Sequence, residues 1–421
     1  MMLRTLSIFL LMVSVQSQVT DDYIARLTQM YGPTKTVATN EARQNPQSRN
    51  PVVPPIQART EDNEDSRCIM SNGQFGECVP YHKCKVYNVN NQNYNIGGLD
   101  CLHCEAQADL TCASLYDTCC QLSDIIPSDQ PVKLPQPQRA GCGWANPDGV
   151  GAQIGGDSNK YTKFAEFPWM VAILNVKPVN DDEPTGLKLL VYIGGGSLIH
   201  PSVVLTVAHY VVGNKTLKIR AGEWDTQTTK EIYPYQDRDA ASIEIHKDFH
   251  AKNLFYNIAV LFLNKPLDLA PNVGVVCLPP PRIPQRANIR CIATGWGKDL
   301  FNHDGRYQVT LKKIELPVVA HDDCQAALRK TRLGKHFVLH SSFMCAGGEL
   351  GKDTCTGDGG APLSCPIEYE KDRYVQSGIV AWGIGCGADG TPGVYVDVSV
   401  VRDWIDDKVI GKGYDPSTYS F

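Results

Sequence analysis

Eight of the chain's sixteen cysteines fall between positions 68 and 120: Cys68, Cys78, Cys84, Cys101, Cys104, Cys112, Cys119 and Cys120. A stretch so short, with many Asn and Gly residues, cannot bury enough apolar surface to hold itself together and has to be stapled covalently. The even total reads as eight disulfides if the chain passes through an oxidising compartment; zinc is the rival reading for Cys101 and Cys104 in the run CLHC. Residues 1–17 favour disulfides. Arg4 is followed by an apolar run from Leu6 to Val15 and then by small Ser17, the pattern of a secretory signal peptide and too short to span a membrane. A secreted, extracellular, glycosylated protein is therefore expected, with Asn214 in Asn-Lys-Thr as the acceptor.

The rest of the 421-residue chain divides by composition. Residues 18–66 form a polar tether that ends in the acidic run EDNED, with little to bury. The cysteine-dense block spans 68–120, and a Pro-rich linker, extended and semi-rigid, spans 121–151. From 152 to 412 short β-type runs alternate with Gly/Pro turns and no βαβ pattern appears, so the class is all-β. Val401, Trp404, Ile405, Lys408 and Val409 recur at helical spacing near the end, with Ser399 as the expected N-cap; residues 413–421 form a tail. A net charge of −5 with 20% charged residues argues against a nucleic-acid partner, and no other stretch predicts a membrane span.

Six of the clustered cysteines resemble the clip domain of arthropod proteases, which ends in an adjacent Cys-Cys pair. That resemblance implies the bridges Cys68–Cys119, Cys78–Cys112 and Cys84–Cys120. Cys101 and Cys104 exceed the pattern; a bridge between the two is a guess, and their pairing stays open. The segments FPWMVAI, GGGSLI, LTVAHY, IAVLFL, CIATGWG, DTCTGDGGAPL, IVAWGIGCG and TPGVYVDV follow one another in the order of the chymotrypsin/trypsin family. The chain is thus similar to the clip-domain serine protease homologues, with a chymotrypsin-like double β-barrel and a C-terminal helix behind a small disulfide-rich clip domain. The family pattern further implies Cys142–Cys277, Cys291–Cys365, Cys324–Cys345 and Cys355–Cys386.

Acyl transfer in that family needs a serine made nucleophilic by a histidine that a buried aspartate orients. By resemblance the histidine is His209. Asn257 stands at the aspartate position and Gly359 at the nucleophile position, in Gly357-Asp358-Gly359-Gly360-Ala361-Pro362. An amide in place of the aspartate costs roughly 10⁴ in kcat, and loss of the nucleophile about 10⁶. Ser364, five residues on, is expected to face away, and Asp248 to belong to another site. Active relatives are also cut after a basic residue, and the new terminal ammonium pairs with the aspartate before the serine. Here Ala152 and Gln153 occupy that bond, leaving Asp358 without its usual ionic partner unless another buried group supplies one. The family's cross-link beside the histidine falls on Gly194 and Tyr210, so both of its cysteines are absent together.

Asp353 is implied to lie at the base of a vestigial primary pocket with Ala381, Trp382, Gly383 and Gly393, either open to a partner's basic side chain or collapsed. The loop from Gly222 matches a calcium site of some relatives, with Glu223, Asp225, Thr228 and Glu231 as oxygen ligands; the alternative is a solvated acidic turn. The resemblance implies no enzyme but a cofactor of prophenoloxidase activation in melanisation. Its expected partners are phenoloxidase or prophenoloxidase and an upstream clip-domain protease that cuts it, with homo-oligomerisation after cutting. Arg59 and Arg67, beside the acidic run, are the candidate cuts. A secreted adhesion or microbial pattern-recognition protein shares every feature, and a hydrolase would have to work without a serine at 359.

Overall fold

The structure, a computed structural model, describes residues 67–70, 73–80, 83–84, 95–96, 112, 117–126, 139–150, 153–154, 160–179, 186, 188–213, 216–229, 231–298 and 307–421. Residues 1–66, with the signal peptide and Arg59, lie outside the described residues, as do Cys101, Cys104 and Asn214. The chain separates into two compact units, Met1–Asn88 with His103–Ser128, and Val89–Leu102 with Asp129–Phe421.

In the first unit, β1 (Arg67–Ile69), β2 (Phe75–Pro80) and β4 (Asp117–Cys120) form an antiparallel sheet in the order β1-β2-β4. Its bridges are Cys68–Cys119, Cys78–Cys112 and Cys84–Cys120, and its small core holds Val79, Cys84 and Cys120. The packing runs past the last cysteine into what the sequence reads as linker. A 3₁₀ turn over Leu122–Asp124 brings Ile125 against that core, and Ile126 N donates to Lys83 O at 2.7 Å.

The second unit holds two closed six-stranded barrels. β6 (Met170–Pro178), β7 (Lys188–His200), β8 (Val203–Thr206), β9 (Leu217–Ala221), β10 (Gln236–Ile245) and β11 (Ala259–Leu263) close in the order β10-β11-β8-β7-β6-β9. The other barrel joins β12 (Arg290–Gly295), β13 (Lys312–Val319), β14 (Phe343–Gly347), β15 (Pro362–Pro366), β16 (Tyr374–Trp382) and β17 (Pro392–Asp397) in the order β12-β13-β14-β17-β16-β15. Closure leaves no open sheet edge. The backbone of β3 (Asn95–Ile96) also pairs in parallel with β5 (Gln153–Ile154).

Among the described residues, helices α1 (Ala208–Val211), α2 (His321–Arg329) and α3 (Val398–Gly411) punctuate the barrels. α3 buries Val401, Ile405 and Val409 at helical spacing against the barrel core. Its cap is Asp397 rather than Ser399: the Asp397 carboxylate accepts from Ser399 N at 2.9 Å and from the Ser399 hydroxyl at 2.6 Å. The aspartate ends β17, one extended residue before the first helical turn, which is where a cap belongs. Arg402 is also buried on α3, donating to Leu278 O and Pro279 O and lying 4.8 Å over the ring of Tyr419. The end of the chain is therefore docked, with Tyr419 fully buried and its hydroxyl donating to Asp406.

The linker's second half is held as well. Cys142 is bridged to Cys277, Tyr374 N donates to Gly143 O, and Ala145 N donates to Asp372 O. Cys291–Cys365, Cys324–Cys345 and Cys355–Cys386 complete the bridges among the described residues.

Candidate functional site

His209 sits in α1, immediately after β8, and Asn257 lies fully buried just before β11. β8 and β11 are neighbours in the barrel, with Thr206 opposite Ala259, and this pairing brings the two side chains together. Asn257 Oδ1 accepts from His209 N at 3.0 Å, and Asn257 Nδ2 lies 2.7 Å from His209 Nδ1. The backbone N–H can only donate, so the amide oxygen has to face it and the amide NH₂ has to face the ring. Nδ1 is then the acceptor, and the neutral ring carries its proton on Nε2. A base that holds its proton on the nitrogen facing the reaction has no lone pair to offer there.

Gly359 follows Asp358 in the loop before β15. Its carbonyl accepts from Gly195 N at 3.0 Å, and the preceding Gly357 carbonyl accepts from the Tyr192 hydroxyl at 2.9 Å. An ideal Cβ on Gly359 would lie 2.7 Å from Tyr210 Cε2 and Oη, closer than real Cβ atoms come. The Tyr210 ring also packs 4.3 Å from the imidazole of His209. Burial, together with the nearby Tyr307 and Asp358, pushes the Tyr210 hydroxyl up to about 12. Ser364 is buried inside β15, paired with Ile292 and Gln376, and Asp248 is exposed beside His246; neither joins the site.

Asp358 accepts from Gly297 N and Cys355 N, each at 2.8 Å, and finds no ion-pair partner among the described residues. Burial pushes its carboxyl up to about 6 against the pull of those two donors and of the Lys312 charge. Asp353 accepts from Thr354 N at 2.8 Å and Gly387 N at 3.2 Å, and burial raises it to about 6 as well. Both acids line one cavity of about 280 Å³, rimmed by Lys160, Lys298, Lys312 and Lys313. Of the other residues expected around Asp353, Gly393 approaches it: a Cβ there would lie 2.9 Å from Asp353 Oδ1. Ala381, Trp382 and Gly383 do not line this cavity. Trp382 instead stands edge-on to Phe337 and Phe343 at 6.2 and 5.9 Å.

The expected calcium loop holds two buried glutamates. Burial, and then the charge of Glu231, pushes Glu223 up to about 8, while burial raises Glu231 to about 7. Arg220 donates to Glu223 at 3.3 Å and to Asp237 at 2.8 Å. The Asp225 carboxylate turns away to accept from Gln227 N, and Thr228 N closes the turn onto Asp225 O. Among the described residues, Glu223, Asp225 and Glu231 do not gather their ligand atoms within 4.8 Å of one another. Arg67 is exposed, but its backbone is paired with Glu77 in β1.

These features match known proteins. The family model for trypsin matches residues 153–405, and the chain belongs to the trypsin family. It is 67% identical over 302 residues to phenoloxidase-activating factor 2 of Galleria mellonella, covering 71% of this chain and 100% of that protein. It is 37% identical over 290 residues to inactive CLIP domain-containing serine protease A28 of Anopheles gambiae, covering 69% and 73%. It is 29% identical over 377 residues to phenoloxidase-activating factor 1 of Holotrichia diomphalia, covering 81% and 93%. The chain is a clip-domain serine protease homologue.

A carboxyl whose folded value lies above its unfolded one binds its proton more tightly in the fold. It therefore loses stability as pH rises from about 4 through about 6. Asp358→Asn removes that loss. Its melting temperature relative to the unchanged chain should climb as pH is raised from about 4 to about 7. A difference that stays constant across that range would contradict the buried, unpaired carboxylate.

Proposed function

We propose that the chain is a non-catalytic cofactor of prophenoloxidase activation, itself switched on when an upstream clip-domain protease cuts it. The observation that carries this reading is the 67% identity that spans the whole of phenoloxidase-activating factor 2 of Galleria mellonella. The relative from Anopheles gambiae is named inactive, and the cleft accords with that. Gly359 stands at the nucleophile position with no side chain to form an acyl-enzyme. Asn257 holds His209 in the tautomer that cannot take a proton from a neighbour at Nε2. The working surfaces are the clip domain and the cleft, and phenoloxidase or prophenoloxidase is the partner.

The cut falls after Arg59 or Arg67. Cutting after Arg67 needs β1 to leave β2, because a protease takes its substrate as free, extended chain. Secretion through residues 1–17, glycosylation at Asn214 and self-association after cutting belong to the same reading.

The experiment mixes prophenoloxidase with its activating protease, with and without this chain, and records phenoloxidase activity. The expected result is a strong rise that needs this chain and is kept by His209→Ala. No rise, with the chain confirmed cut, would overturn the cofactor role and favour microbial-surface recognition, read next as binding to peptidoglycan or β-glucan.

Calcium is proposed for the Gly222 loop. Two buried glutamates, each raised by burial and one also by the other, face a single guanidinium, and a divalent cation fits that excess of negative charge. Glu223 and Glu231 would hold it with backbone oxygens of the turn. Calorimetric titration should show one site with a Kd of about 1 mM or tighter, lost in Glu231→Gln. Absence of binding heat in the unchanged chain would refute the site.

A further inference from the structure

We propose that Tyr210 is a latch between the barrels: its ring fills the space that side chains at both position 359 and position 194 would need. With Tyr192 and Tyr307 it holds the Gly357–Gly360 loop in place in the uncut chain. The absence of a serine at 359 and of a cysteine pair at 194 and 210 are then one structural event, because the same ring leaves no room for a Cβ at either glycine.

The contacts are steric and specific. A Cβ on Gly194 would lie 2.4 Å from Tyr210 Cδ2 and Cε2, and 2.6 Å from Gly359 O. A Cβ on Gly359 would meet the far end of the same ring at 2.7 Å. Cε2 belongs to both sets of contacts, so β7 and the loop before β15 close on the same stretch of the ring and share the space that it fills. Packed interiors tolerate such intrusions only by shifting side chains or backbone. The hydrogen bond from Gly195 N to Gly359 O, 3.0 Å long, closes the same junction through the backbone.

Two further tyrosines grip the loop one step upstream. Tyr192, on β7, donates its hydroxyl to Gly357 O at 2.9 Å and stands edge-on to Trp296 and Tyr307, each 6.2 Å away. Tyr307 lies against Gly357, where a Cβ would come within 2.6 Å of Cε1. Asp358, in the middle of the gripped segment, accepts its hydrogen bonds from backbone N–H groups, and the charge of Lys312 draws on it without an ion pair among the described residues. Aromatic packing and backbone hydrogen bonds therefore account for the order of this loop, with no ion pair to Asp358 taking part.

A thermal-melting cycle on the full chain tests the latch independently of any cofactor role. Gly359→Ala, which adds one methyl group, should lower the melting temperature by about 4 °C or more. In a Tyr210→Ala background the same substitution should cost less than half as much, whereas in a Tyr210→Phe background it should keep its full cost, because the ring remains. A Gly194→Cys/Tyr210→Cys background, which replaces the ring by a cross-link, should accept Gly359→Ser with little loss, and it provides the comparison if Tyr210→Ala fails to fold. Equal losses at position 359 in all backgrounds, or a Gly359→Ala protein that melts with the unchanged chain, would overturn the latch.

Discussion

The two barrels meet backbone to backbone where Gly195 N donates to Gly359 O, and the cleft is arranged around that contact. Thr206, at the end of β8, donates its hydroxyl to Gly195 O at 2.9 Å, and Gly360 N donates to Val380 O on β16 at 2.9 Å. A chain of hydrogen bonds thus runs from the first barrel through the loop into the second. The barrels also share one continuous hydrophobic core, with Ile199, Leu205 and Val260 of the first packed in a cluster with Phe343, Ile379 and Val396 of the second, and the small residues at the junction let the main chains touch beside it. The catalytic geometry of a protease would be built on this junction. Here the junction is kept, while the groups that would react have been replaced by groups that pack or that lock a tautomer.

The charges follow the same division. Asp353 and Asp358 are half-buried acids whose hydrogen bonds come from backbone N–H groups, an arrangement that desolvation penalises at neutral pH. Protein surfaces elsewhere carry ion pairs such as Arg290 with Glu315 and Glu349, which are exposed and worth little individually. Electrostatic cost gathers in two places, at Glu223 and Glu231 in the Gly222 loop and at Asp353 and Asp358 beside the tyrosine-packed loop.

Much of this architecture was legible in the sequence because close packing leaves durable marks. Motifs such as GGGSLI and GDGGAPL preserve the glycines at the barrel junction, and the ordered cysteines mark which strands are bridged. Asn257 against His209 was legible for the same reason, since both sit in motifs that neighbouring strands bring together. Other features depend on where a side chain ends up in space. Arg402 belongs to no motif, yet it is buried on α3, where carbonyls from residues 278 and 279 converge on it. Ser399 looked like the cap because it is the small hydroxyl nearest the apolar stripe, but Asp397 is the residue still in extended geometry. The paired absence of cysteines at 194 and 210 announced that these positions touch; that the ring at 210 also reaches position 359 follows only from the fold.

The central claim is that the cleft floor is already set in the uncut chain by tyrosine packing and backbone contacts. Hydrogen exchange of the amides from 355 to 361, measured before and after proteolytic cutting, tests it most directly. The account predicts strong protection at Gly360 and Ala361 in the uncut chain, where both N–H groups are hydrogen-bonded, and no change on cutting. Protection that appears only after the cut would show that the loop is ordered by the cleavage itself and would contradict the account.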